Sequence, residues 1–352
     1  FPYGDRIYRY GGTALQSNWS RLHRGDREPY PSVDSLDALL RANPALAPSV
    51  PSAEVLVPIL EDAWRAYHAG DFADAVDRGL AAGPVGLVVS ARAAAVYASH
   101  LEEDETRRIA ILRGVVESCS ALVQLAPNWA NAWYVYGLAL GRFSQNISVV
   151  RALSQGLGSK VRDSLQRAVE LEPSHADAHV GLGVYHAEVI DKVGVLIARL
   201  TYGARKEVGL TLFQEALRIN LESALAMVEY AHALLMLEGD QRLQDATRLF
   251  RQAAALAYMS DDLPTDAVVQ AHPVRSEPDE TLYKALFTAS LDHTIWFHRP
   301  LAADRWHLHD FTCHTFVGGR GLSLGQIFAL DGTHVATVAQ EVLLRDTRDR
   351  TS

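Results

Sequence analysis

Side chains able to do chemistry gather in two short stretches of the C-terminal third, Ser290-Leu-Asp-His-Thr-Ile-Trp-Phe-His-Arg-Pro300 and Ala339-Gln-Glu341. Asp292-His293 is the obvious pair for acid and base work, although at this position it reads better as a structural pair at a strand start. Polar and apolar residues alternate through the first stretch. As a strand it would carry Asp292, Thr294, Trp296 and His298 on one face and His293, Ile295 and Phe297 on the other. One face can pack while the other lines a site.

Other chemistry is less well specified. Gln155-Gly-Leu-Gly-Ser-Lys160 lacks the spacing of a phosphate loop and follows no strand, so it reads as a loop between helices. His175 and His179 stand four apart near His186, Glu188 and Asp191. With no H-E-x-x-H pattern, they read as capping, surface and groove histidines. Half of the 14 histidines fall between His272 and His334, again without ligand spacing. Cys119 and Cys313 lie 194 positions apart and read as buried or partly buried thiols, with no disulfide framework or thiolate zinc site.

The elements that must hold the first two stretches are strands. Leu322 to Leu330 and Thr333 to Leu344 flank Asp331-Gly332, a strong hairpin signal, with both turn residues expected at positive φ. Gly318-Gly-Arg-Gly321 opens the first of these runs.

These residues closely resemble the C-terminal hot dog repeat of the acyl-CoA thioesterase II family. The likeness covers about 256–345 through Tyr258-Met-Ser-Asp-Asp262, Ala289-Ser-Leu-Asp-His293, Trp296-Phe-His-Arg-Pro300, Gly318-Gly-Arg-Gly321 and Val338-Ala-Gln-Glu341. The resemblance implies a centre in which an aspartate, a hydroxyl and a glutamine hold the attacking water. By motif position these are Asp261, Ser290 and Gln340. A carboxylate would deprotonate or orient the water while hydroxyl and amide aim its lone pairs at the thioester carbon, and the oxyanion would need donors such as backbone N–H groups. The family carries two such repeats per chain. Only the second is matched here, so a homodimer is the expected way to replace the other.

Before this module the helical period takes over. Ala63-Trp64, Tyr67, Phe72, Ala75-Val76 and Leu80 flank Gly70-Asp71 as two antiparallel helices. Ala132 and Gly137 recur 46 residues later as Ala178 and Gly183, and Ala226 follows Ala178 by 48. Pro127, Pro173 and Leu221 each follow a helical stretch, and a fixed period marks a solenoid. Leu165-Gln-Arg-Ala168 and Phe213-Gln-Glu-Ala216 resemble second helices of the tetratricopeptide repeat. The units exceed its length of about 34 residues by about a dozen, inserted at Ser144 to Lys160 and Val189 to Arg205. Residues 1–255 broadly resemble bacterial tetratricopeptide proteins of unassigned role. Residues 1–50 read as an ordered arm with one short helix at Ser35 to Ala42 and a Pro-rich linker at Pro44 to Pro51.

At 352 residues, 48% hydrophobic and 21% charged, the chain is expected to hold more than one domain with substantial cores. Its net charge of −9 disfavours a nucleic-acid or anionic-membrane surface, and no compact basic stripe stands out. No apolar run approaches the ~18 residues of a membrane span. Phe1 to Arg6 show no signal-peptide apolar region, and a cytoplasmic location is expected, although a leader removed before Phe1 would be invisible.

The sequence therefore predicts an α+β multidomain chain: an arm and linker at 1–53, a tetratricopeptide-like α-solenoid of about five helix pairs at 54–257, and a partial hot dog module, an antiparallel sheet around a helix, at 258–352. The predicted function is acyl-CoA hydrolysis to free fatty acid and CoA, without metal or other cofactor. Expected partners are the acyl-CoA substrate, a protein or peptide on the helical repeat face and a second copy of the chain. The alternative is a non-enzymatic interaction scaffold with an inactive or dimerising hot dog remnant.

Overall fold

Three turns of one shape, at 126–129, 172–175 and 220–223, separate successive helix pairs. Pro127 and Pro173 end the preceding helix by removing a donor, and His175 and Ser223 restart the next by accepting the backbone N–H of Ala178 and Ala226. The computed structural model describes residues 9–148, 151–152, 155–258, 267–268, 286–292, 294–299 and 307–346. These divide into two units, Phe1–Asn220 with His232–Gly239 and Leu221–Ala231 with Asp240–Ser352.

In the first unit α1 (Ala14–Leu22) and α2 (Val33–Ala42) form the arm, followed by a 3-10 turn, Pro44–Ser49, that buries Leu46. The solenoid follows as α3 (Ala53–His68) with α4 (Phe72–Ala81), α5 (Leu87–His100) with α6 (Glu105–Leu125), α7 (Ala130–Gln145) with α8 (Leu157–Leu171), and α9 (Ala176–Val193) with α11 (Lys206–Ile219). The extra helix α10 (Val195–Tyr202) sits between Gly194 and Gly203; further along the chain, α12 (Ala224–Glu238) is divided between the two units and α13 (Leu243–Tyr258) belongs to the second. The repeated small residues have a packing cause. A Cβ on Gly137 would lie 2.7 Å from Leu165, and one on Gly183 would lie 2.7 Å from the Phe213 ring, so each pair closes only over glycine. Gln155 to Lys160 is not wholly a loop. Gly156, at φ 62°, starts α8, and Leu157 to Lys160 form its first turn.

The arm, where α1 had no periodic signal, lies across the first helices of four pairs. Trp19 packs edge-on to Trp64, and its indole N–H donates to Glu28 O at 2.7 Å. Asp26, 2% exposed, ion-pairs with Arg92 and faces His23 Nδ1 at 3.0 Å. Arg92 also reaches Asp177 at 3.8 Å and lies over the rings of Tyr67 and Tyr134. Asn131 donates to Asp26 O and faces His175 Nε2, both at 3.0 Å. Burial and then Arg92 push His23 down to about 2. It is therefore neutral, donates through Nδ1 to Asp26, and accepts at Nε2 from His68 Nε2, 3.1 Å away. Burial raises Glu28 to about 8 against its bond to Asn131, so it stays a neutral acid at pH 7. His175, His179 and His186 are all buried, the first as a helix cap, the last accepting from Arg205 N–H at 3.0 Å. Cys119 is buried and its thiol is pushed up to about 12 by burial, while Cys313 is half-buried.

The second unit carries one antiparallel sheet, β1 (Leu286–Ser290), β2 (Thr294–Phe297), β3 (His307–Val317), β4 (Arg320–Ala329) and β5 (His334–Asp346), in the order β1-β5-β4-β3 with β2 also on β5. Gly318 and Gly319, at φ 61° and 75°, make the two-residue turn between β3 and β4. The Asp331-Gly332 turn differs from expectation. Among the described residues only Gly332 of that pair has positive φ, at 82°, and a register shift between Ile327 and Phe328 absorbs the longer loop. Ala329 and Thr333 close it through N–H to O at 2.8 Å, and Asp331 Oδ1 accepts the Thr333 N–H at 2.9 Å.

Candidate active site

The even-numbered positions of β5 form its buried face: Ala336, Val338, Gln340, Val342 and Leu344. Opposite them β4 presents Ile327, Gly325, Ser323 and Gly321, all buried. Apolar residues make up most of this face, so the amide of Gln340, with 0% exposure, needs an explanation. Gln340 Nε2 donates to Ser290 Oγ across from β1.

A break in the edge strand makes this meeting possible. Ser290 pairs with Val342 and Thr294 with Ala339, so the registers of β1 and β2 on β5 differ by one residue. This is a β-bulge, and it corrects the single alternating strand read from 290–300. In an unbroken strand Ser290 and Thr294 would share a face. Here Ser290 pairs on the buried side of β5 and Thr294 on the other, while Ile295 packs inward beside Val338 and Trp296 faces out. Asp292 secures the bulge by accepting the Glu341 N–H, and the N–H groups of Leu291 and Asp292 reach Glu341 O at 2.8 and 3.4 Å. Asp292 thus orders the backbone beside both Ser290 and Gln340.

Ser323 was not singled out from the sequence, yet it pairs directly with Gln340 and is fully buried. Its hydroxyl makes no hydrogen bond among the described residues. The signal was present as the small-residue alternation Gly321, Ser323, Gly325. A Cβ on Gly321 would lie 2.3 Å from Val268, and one on Gly325 would lie 2.0 Å from Phe311. These strand glycines let neighbouring groups press close on either side of the serine. Ser290, Gln340 and Ser323 are therefore a polar row in an apolar face, able between them to donate to and accept from one water. Asp261 and His293 lie outside the described residues.

On the opposite face Asp292, Thr315, Val317, Arg320, Leu322 and Glu341 line a shallow cavity, with Arg320 Nη1 3.4 Å from Glu341 Oε1. On β3, His307 and His309 alternate inward, and burial followed by His307 lowers the His309 pKa. Among the described residues no three His, Cys, Asp or Glu side chains gather as metal ligands, and no helix is long and apolar enough to cross a membrane.

Residues 237–344 match the family model described as Acyl-CoA thioesterase C-terminal domain. The chain is 43% identical over 95 residues to Acyl-CoA thioesterase 2 of Haemophilus influenzae, covering 27% of this chain and 31% of that protein. It is 43% identical over 68 residues to Acyl-coenzyme A thioesterase 8 of Mus musculus, covering 19% of this chain and 21% of that protein. The chain thus spans a third or less of these curated relatives. Among solved structures, acyl-CoA thioesterase II TesB2 from Mycobacterium marinum is 37% identical, covering 29% of this chain and 37% of that one with a TM-score of 0.24. The tetratricopeptide protein TTC0263 of Thermus thermophilus is 17% identical, covering 58% of this chain and 92% of that one with a TM-score of 0.43.

Proposed function

We propose that residues 258–352 act as a hot dog thioesterase module that hydrolyses acyl-CoA. In this reading a water held among Asp261, Ser290 and Gln340 attacks the thioester carbonyl while Asp261 takes its proton. The C–S bond then breaks, leaving free fatty acid and CoA, whose thiolate recovers a proton. The observation that carries the reading is the buried Gln340 amide donating to Ser290 in a face otherwise built to be apolar. An amide in that setting costs stability unless its bonding has a use. The thioesterase likeness of 237–344 supports the same substrate class. No metal or other cofactor is called on by this chemistry.

A second copy of the chain is the proposed source of the missing repeat, and β3, eleven residues long at the edge of the described sheet, is the strand on which it would add. A pure docking scaffold is less well supported, because the arm already covers the first helices of four pairs.

The test is steady-state CoA release from short, medium and long acyl-CoAs by the intact chain. Turnover is expected, with Asp261→Asn slowing it about 10²-fold or more at unchanged circular dichroism. A folded intact chain that turns over none of them, or an Asp261→Asn variant as fast as the parent, overturns the reading.

A further inference from the structure

The most exposed apolar surface of the helical unit is a single helix. On α10, Val195, Leu196, Ile197 and Leu200 are 66, 70, 53 and 76% exposed, and only Ala198 is buried. An eight-residue helix that gives one alanine to the core and four large aliphatics to solvent is not held there by its own packing. It is anchored from behind. Arg162 Nη1 and the Tyr185 hydroxyl both donate to Tyr202 O at 2.8 Å, and the Tyr202 ring lies against Gly158. Those contacts bind α10 to the start of α8, so the two sequence insertions share one region.

Charge is segregated there. Ile147 to Arg162 and Gly194 to Lys206 contain Arg151, Lys160, Arg162, Arg199, Arg205 and Lys206 and no acidic residue, in a chain of net charge −9. Asp163, Asp191 and Glu207 stand at the borders; Arg162 pairs with Asp163 at 2.7 Å and Lys206 with Glu238 at 3.2 Å, so the positive excess rests on Lys160, Arg199 and Arg205. The overall negative charge therefore conceals a local positive excess in these two segments.

We propose that α10 and the adjoining start of α8 form a docking surface for an anionic lipid bilayer, with Val195, Leu196, Ile197 and Leu200 entering the headgroup boundary. Aliphatics flanked by Lys and Arg are the combination that interfacial helices use. A second copy fits this surface poorly, since a two-fold interface would set the same cations against one another. The surface is independent of the hydrolytic site.

The experiment is flotation of the intact chain with vesicles of phosphatidylcholine alone or mixed with phosphatidylglycerol, beside sedimentation of the free protein. Binding to the anionic vesicles is expected, weakening as NaCl rises from about 0.1 to about 0.5 M. The double substitution Leu196→Ser with Leu200→Ser should reduce it roughly tenfold or more without changing helical content. Flotation with neither vesicle, equal flotation with both, or a double variant that still floats would each overturn the proposal. So would self-association of the parent that the double variant loses, which would assign the patch to a second copy.

Discussion

Among the described residues, two groups of polar side chains, one in the helical unit and one in the sheet, are satisfied in opposite ways. Around Asp26 and Arg92 in the helical unit, charge meets charge: the carboxylate has Arg92 and the neutral His23, and Asn131 links the arm to His175. In the sheet, Gln340, Ser290 and Ser323 are uncharged and sit in an apolar face, and the Ser323 hydroxyl has no bond among the described residues. The first arrangement makes one folded arrangement of the arm cheaper than any other, because each charge is stranded without its partner. The second commits little energy to its own geometry, and its Ser323 hydroxyl remains able to bond a water. Charge paired with charge reads as architecture, and an unbonded hydroxyl beside a buried amide in an apolar face reads as chemistry.

The largest expected effect breaks the first group. Arg92→Met leaves Asp26 and Asp177 without their cation and should cost about 3–5 kcal/mol in denaturant unfolding, with new proteolytic cleavage in the arm near residues 24–28. A loss under about 1 kcal/mol would mean the pair is decorative. In the sheet, Gly321→Ala drives a Cβ into Val268 and should cost about 1–3 kcal/mol through overpacking.

Acid should separate the two groups further. His23, His68, His175 and His186 are lowered to about 2, 3, 3 and 4, in each case chiefly by burial. Unfolded, they bind protons near 6.5, so below that pH the unfolded state holds more protons and stability falls as pH falls. Glu28 and Asp177, both raised by burial, oppose this with fewer groups. Helical melting is therefore expected at lower temperature at about pH 5 than at about pH 7, with a net slope on the order of 1–2 kcal/mol per pH unit. A pH-independent midpoint would contradict it. The smallest effect belongs to Ser323→Ala. Removing an unbonded hydroxyl should change stability by no more than about 0.5 kcal/mol, in either direction, while slowing CoA release if the proposed water bonds there.

Local pattern carried much of this. The β4 and β5 runs, the Gly70-Asp71 turn and the spacing of Gly137 and Gly183 were legible because each follows from a backbone period or a glycine requirement. The bulge after Ser290 was not, since a one-residue slip leaves the alternation intact and is set by Asp292 reaching Glu341 on another strand. Helix α1 escaped because Leu15 and Trp19 are its only buried residues, and its partners stand far along the chain. Of the proposed centre, Ser290 and Gln340 came from motif position alone, whereas Ser323 needed the small-residue face to be read as a site.

Gln340→Leu tests the central claim most directly, because leucine suits the apolar face and so separates folding from chemistry. Measured side by side with the parent for unfolding midpoint and CoA release, the variant should be as stable or more so and slower by about 10²-fold or more. Equal hydrolysis by a stable Gln340→Leu chain, or no hydrolysis by the parent, would contradict the account.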